Sequence, residues 1–281
     1  MTLFGPAGND IHFYEEGLKS TIDAPKWVNN LGLTAYEYSL ARGIQLTDET
    51  ALKLKEEFEK YNIKISVHAP YYINFANPDE EQVEKSINWV VGSAKKVKVL
   101  GGNRVVVHPA SVGKMSREQA VELTKLRLVK LSQRLTEENL NDVLICIETM
   151  GKSGQVGTYE EVVDFCTIAE NFIPTFDFGH INSITQGSLK SESDYEKILQ
   201  YAIDVLGYEK IKHCHIHFSK IQYSTKGEIK HLTLEDTEYG PEFLPLAKVL
   251  KKLNIEPIVI CESKDLMAYD AVKLKEIYEN A

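Results

Sequence analysis

A short β-branched run followed by a segment of helical period recurs eight times along this chain, and few folds accommodate that rhythm. The β readings are 2–5, 33–38, 63–67, 104–108, 143–148, 173–177, 211–217 and 257–262. Between them lie amphipathic stretches such as 47–61, where Leu52, Leu54, Phe58 and Tyr61 share a face. The stretch 78–101 opens with Pro and acids, as a helix should, and stops at Gly101-Gly102. Residues 116–135 repeat the pattern, with Ser116 as N-cap. Eight β–α alternations predict an α/β protein, a single (β/α)8 TIM barrel over 1–281, rather than an open doubly wound sheet. A chain of 281 residues suits one such barrel. No low-complexity stretch, Pro/Ser linker or charge block divides the sequence into domains, and no G-x-G-x-x-G follows the first strand to suggest a dinucleotide site.

Metal-capable side chains gather where these strands end. ISVH ends at His68, RVVVH at His108, VLICIE at Glu148, IPTFD at Asp177, IKHCHIH at His215 and His217, and PIVICE at Glu262. His180 and His231 lie in the segments that follow. In a parallel barrel all strand carboxyl ends open on one face, so residues distant in sequence would meet in one cup. His213, His215 and His217 alternate along one strand and should share a face, with His213 deepest as a hydrogen-bonded core residue. The long connection 218–242 carries Lys220, Lys226, Lys230 and His231, and its first half is expected to face substrate. Tyr71 and Tyr72 follow His68, and Arg42 follows the second strand; Tyr71 and Arg42 are further candidates for substrate contact.

Composition sets outer bounds. Hydrophobic content of 43% supplies a full core, and the formal net charge of −9 argues against a broadly basic nucleic-acid binder. Bound divalent cations would reverse that sign inside the cup. The four cysteines, Cys146, Cys166, Cys214 and Cys261, show no C-x-x-C pairing and read as buried thiols of a reducing compartment. The N-terminus lacks a basic region followed by an apolar core, and the longest apolar runs are only strand-length. The expectation is a cytoplasmic, monomeric protein with no membrane partner.

Imidazole and carboxylate together suit Zn2+, and also Mn2+ or Fe2+ where oxygen donors dominate. The donors outnumber the needs of one tetrahedral ion, and Glu148 can bridge two ions through its two oxygens. Two or three ions are therefore expected, an arrangement suited to phosphoester hydrolysis. No G-x-S-x-G and no Cys with a basic partner offers a protein nucleophile.

At these residues the chain resembles the endonuclease IV class of apurinic/apyrimidinic endonucleases, within the xylose-isomerase-like barrels. The resemblance runs through HAPYYINFAN (68–77), GGNRVVVHPAS (101–111), IETMGKSGQVGTYEEV (147–162), FDFGH (176–180), HIHFSK (215–220) and CES (261–263). It implies one ion on His68, His108 and Glu148, and a second shared by Glu148 with Asp177, His215 and Glu262. A third would take His180 and His231. It also implies a DNA-repair role: cleavage of the phosphodiester 5′ to an abasic site by metal-activated hydroxide, with the abasic nucleotide flipped into the cup. Ile229 stands where the family has an Asp ligand, which leaves Glu228 or His217 to replace it. His217-Phe218 replaces an Asn-Asp pair, and Met150 stands where a small residue is common.

The competing expectation is a sugar isomerase or epimerase. It would use one ion on Glu148, Asp177, His215 and Glu262, with Glu148 and Glu262 as the catalytic proton-transfer groups. Such an enzyme does not need His68 and His108. A third possibility is a barrel that binds damaged DNA or a small ligand without turnover. If duplex DNA is the substrate, Arg42, Lys114, Lys152, Lys220, Lys226 and Lys230 are the candidates for phosphate contact.

Overall fold

The computed structural model describes residues 1–281. Its centre is a sheet of eight parallel strands: β1 Leu3–Pro6, β2 Ala35–Ser39, β3 Lys64–His68, β4 Arg104–Val107, β5 Leu144–Glu148, β6 Phe172–Asp177, β7 His215–Phe218 and β8 Ile258–Cys261. Consecutive strands pair from β2 through β8, and β8 returns to pair with β1. At the remaining seam, between β1 and β2, Thr34 N donates to Phe4 O at 3.0 Å. The strands approach so closely there that a Cβ on Gly5 would sit 1.8 Å from Ala35 O. Only glycine fits that position, and the barrel is nearly closed because of it.

Strand alternation divides the residues into two sets. Val105, Val107, Ile145, Ile147, Phe172, Phe176, Ile216 and Val259 point outward into a core of 65 buried residues shared with the surrounding helices. Val106, Cys146 and Ile173 point inward and form a small separate cluster. Two residues further along, the same inward parity brings His108, Glu148 and Thr175 toward the carboxyl face.

The helices follow local rules. Ser116 caps Arg117–Glu137 through a reciprocal capping box with Gln119. In Asp48–Lys60 the buried stripe is Ala51, Leu54 and Phe58, while Leu52 is exposed, so its expected place on the apolar face is corrected. Residues 51, 54 and 58 keep the i, i+3, i+7 spacing that Leu52 breaks. All four cysteines are buried thiols.

Two segments differ from expectation. Tyr208–Lys212 is a short helix, so β7 begins at His215 rather than at 211. His213 therefore precedes the strand and is exposed at the opposite end of the barrel, where Arg104 donates to its carbonyl at 2.7 Å. The long connection is ordered as an antiparallel hairpin, Lys220–Ser224 with Gly227–Leu232. No helix of the chain is long and apolar enough to cross a membrane.

Candidate metal centre

Glu148, at the end of β5 and 1% exposed, is the hub of the carboxyl face. Its Oε2 lies 3.2 Å from His68 Nε2 and 3.0 Å from His108 Nε2. Its Oε1 lies 3.2 Å from His217 Nδ1 and 3.4 Å from His180 Nδ1. Four donor groups lie around it: His68, His108 and Glu148; Glu148, Asp177, His217 and Glu262; His180, Glu228 and His231; and, beneath the others, Glu37, His215 and His217. In each group the donor atoms all lie within 4.8 Å of one another. His68, His108, Glu148, His180, Glu228, His231 and Glu262 line a cup of about 410 Å³, with Asp177 and His217 buried behind its wall.

The strand ends explain most of this placement, and the hairpin explains the rest. Gly227 has φ +94°, and a Cβ there would meet Gly151 O at 2.0 Å. Because it is glycine, the hairpin can lie against the segment after β5, where Glu228 N donates to Gly151 O at 2.8 Å. Glu228 Oε2 then comes within 3.4 Å of His180 Nε2, and its Oε1 within 3.8 Å of His231 Nε2.

The second donor group corrects the sequence expectation: His217, not His215, stands with Glu148, Asp177 and Glu262. Both rings point inward, but His215 lies one pleat deeper and is bonded to Glu37. Among the substrate candidates, Lys220 is buried, and its ammonium donates to Asp236 O and Glu242 Oε1 at 2.6 Å each. It ties down the hairpin base and does not line the cup. Arg42 is exposed beside Tyr71 in a neighbouring depression, outside the cup. Tyr71, 60% exposed, stands at the cup rim with its ring about 6 Å from those of His68 and His108. Lys226 and Lys230 are exposed on the hairpin. Lys152 lies in the cup wall, 3.7 Å from Glu228.

The charge distribution asks for cations. Burial pushes the Asp177 carboxyl up to about 6, with Glu262 and Glu148 adding to the rise. Burial would also raise Glu148, but His108 and His217 hold it well below the ordinary carboxylate range. Glu262 and Glu228 likewise fall to about 2 despite burial, the first beside His217 and the second beside His180. Burial lowers the His68 imidazole, yet its bond to Glu148 leaves it at about 9. Imidazolium here does what a divalent ion would do better.

The donors also fit ions in detail. Asp177 Oδ1 caps the next helix by accepting from His180 N at 2.7 Å, which leaves buried Oδ2 without a hydrogen-bond partner. His68 Nδ1 lies 2.8 Å from Ala69 O, His180 Nδ1 3.0 Å from Thr149 O and His231 Nδ1 2.8 Å from Ser219 Oγ. In each of these rings Nε2 faces the cup. Outer partners of this kind fix the tautomer of metal-ligating histidines.

Comparison with known proteins identifies the lineage. The xylose isomerase-like TIM barrel family matches residues 25–277. The chain belongs to that family. An uncharacterized protein of Methanocaldococcus jannaschii is 35% identical over 278 residues, covering 99% of this chain and 97% of its own length. A probable endonuclease 4 of Staphylococcus carnosus is 30% identical over 172 residues, which are 59% of this chain and 55% of that protein. This chain therefore matches little more than half of that relative. Among solved structures, endonuclease IV from Thermus thermophilus superposes with TM-score 0.69 at 19% identity, covering 93% of this chain and 95% of the other. A D-tagatose 3-epimerase-like protein gives 0.66 at 22%, covering 88% of each chain. At those identities both structures speak to fold alone.

One important residue escaped the sequence reading. Glu37 lies mid-strand in AYEYS and is 1% exposed in the floor of the cup. An acid at an inward position of an otherwise buried strand was the available signal.

Proposed function

We propose that this chain is a metal-dependent phosphodiesterase that cleaves DNA 5′ to abasic sites, using two or three ions, with zinc the best match to the donors. The observation that carries the reading is the sharing of Glu148. Its Oε2 faces His68 and His108, while its Oε1 faces His217 beside Asp177 and Glu262. A single-ion enzyme has no use for two histidines on the far oxygen.

In this reading His68, His108 and Glu148 hold one ion, and Glu148, Asp177, His217 and Glu262 hold the second. His180, Glu228 and His231 hold the third, with Glu228 taking the place left by Ile229. Such ions supply an activated water and neutralise charge on the phosphate and the departing oxygen. The chain's own side chains bind and orient. Lys152, Lys226 and Lys230 offer positive charge beside and above the acidic cup, and Tyr71 presents an exposed ring at its rim to an extruded nucleotide. Burial of Glu148 and Asp177 keeps bulk water off the oxygens that hold the ions.

A sugar epimerase remains the second reading. Glu148, Asp177, His217 and Glu262 form a complete one-ion set, and a cup of about 410 Å³ suits a single sugar. The deciding experiment incubates the zinc-loaded protein with an abasic duplex and, separately, with free ketoses. Incision 5′ to the abasic site supports the nuclease; ketose turnover without incision supports the epimerase.

A further inference from the structure

Beneath the cup lies a second buried polar group that neither the nuclease nor the epimerase reading uses: Glu37, Ser66 and His215. Glu37 Oε2 accepts from Ser66 Oγ at 2.7 Å and faces His215 Nε2 at 3.0 Å. Glu37 Oε1 lies 3.0 Å from His217 Nε2, close enough for an ion pair but not aligned as a hydrogen bond, and both atoms are otherwise buried without a hydrogen-bond partner. His217 thus presents its two nitrogens to two carboxylates on opposite sides, Glu37 below and Glu148 with Glu262 above. The other rings with an assigned outer contact differ. His68 rests on a backbone carbonyl and His231 on a hydroxyl, while His180 Nδ1 is shared between the Thr149 carbonyl at 3.0 Å and the carboxylates of Asp177 and Glu148 at 3.3 and 3.4 Å.

We propose that Glu37 is a positioning residue for the candidate metal ligand His217, holding Nε2–H so that Nδ1 would be presented, bare, to an ion that Glu148, Asp177 and Glu262 would hold. Ser66 and His215 keep the Glu37 carboxylate from rotating, because each bonds the oxygen that His217 does not use. A carboxylate behind an imidazole fixes its tautomer and raises its basicity as a ligand. The arrangement also accounts for His215. It is wholly buried, one pleat too deep to reach the cup, and bonded to the same carboxylate. The strand register supports the clamp: Glu37 pairs with Ser66 across β2 and β3.

This inference rests on the metal reading above, and zinc is the probe for both. Wild-type protein, stripped and reloaded, gives the number of ions and the affinity of each by competition with a chromophoric chelator. In Glu37→Gln the amide presents one oxygen and one NH2, so it cannot accept from both rings. One ion should weaken by about 10–100-fold while the others keep their affinity. Zinc uptake by wild type with no weakening in Glu37→Gln would overturn the positioning role alone. No zinc uptake by wild type would overturn the metal reading, and this inference with it.

A measurement on loaded wild type covers the case in which the variant does not fold. Long-range proton–nitrogen spectra should show His217 protonated at Nε2, with a slowly exchanging downfield proton, and ligated through Nδ1. Ligation through Nε2 would contradict the proposal. In His215→Gln the number of bound ions should be unchanged. Loss of one whole ion would make Glu37, His215 and His217 an ion site in their own right, and would overturn the clamp.

Discussion

Four imidazoles converge on the two oxygens of Glu148, from His68, His108, His180 and His217. Replacing it as Glu148→Gln nearly preserves shape but removes one charge and one donor oxygen. The variant should lose at least one ion, and hydrolysis should fall by several orders of magnitude; full metal content at a near-normal rate would place Glu148 outside the ligand set. The same cluster sets a pH dependence for the metal-free protein. Burial lowers the His68 imidazole, but the Glu148 contact leaves it at about 9 against an ordinary 6.5. A histidine raised on folding stabilises fully below its unfolded value, and that stability is lost as pH rises through its folded value. Asp177, pushed up by burial from 3.8 to about 6, costs stability in the same direction over that lower interval. Chelator-treated protein should therefore show a falling Tm between about pH 6.5 and 9, recovered by adding zinc. A flat Tm across that window would contradict the ion-pair account. At this scale sequence spacing found most of the cup, because strand ends are marked by where β-branched runs stop. The choice of His215 over His217 came from the family resemblance, since spacing put both rings on the inward face and did not say which of the two stands one pleat nearer the cup. Glu37 stayed hidden because its role depends on partners from β3 and β7.

The hairpin Lys220–Ser224 with Gly227–Leu232 is the element that completes the third donor group. The sequence showed a long, lysine-bearing connection but not its pairing, since Ser224 and Gly227 flank Thr225-Lys226, which is not a strong two-residue hairpin signature. Its seating depends on Gly227, whose φ of +94° and close approach to Gly151 O leave no room for a side chain. Gly227→Ala should cost about 1–3 kcal/mol of backbone strain. It should shift Glu228 and His231 away from His180, releasing one ion while the remainder stay bound. Metal analysis checks this: retention of every ion would show that the hairpin does not build the third group. The exposed hairpin lysines make a separate prediction. Replacing Lys226 and Lys230 by Ala should flatten the salt dependence of binding to an abasic duplex, by roughly 0.9 in log–log slope for each phosphate no longer neutralised, without removing metal. An unchanged slope would remove the hairpin from the DNA-facing surface.

At the scale of the molecule, the eight β–α alternations were readable because parallel strands are buried on both faces and appear as short continuous apolar runs. Closure was less visible. It depends on Gly5 meeting Ala35 across the seam, an approach between strands about thirty residues apart that no local pattern encodes. The barrel then delivers Asp177, His217, Glu148 and Glu262 to one face while their outward neighbours fill the helix-packed core. Those carboxylates meet in one cup on a chain of net charge −9, and cations held there would turn it into a cup that receives phosphate. The number of ions bound per chain is thus the quantity on which the account turns. Metal analysis of the purified, zinc-reloaded protein, referenced to protein concentration, should return two or three ions per chain. A single ion, retained in a His68→Ala, His108→Ala double variant, would contradict the shared-Glu148 centre and with it the phosphodiesterase reading.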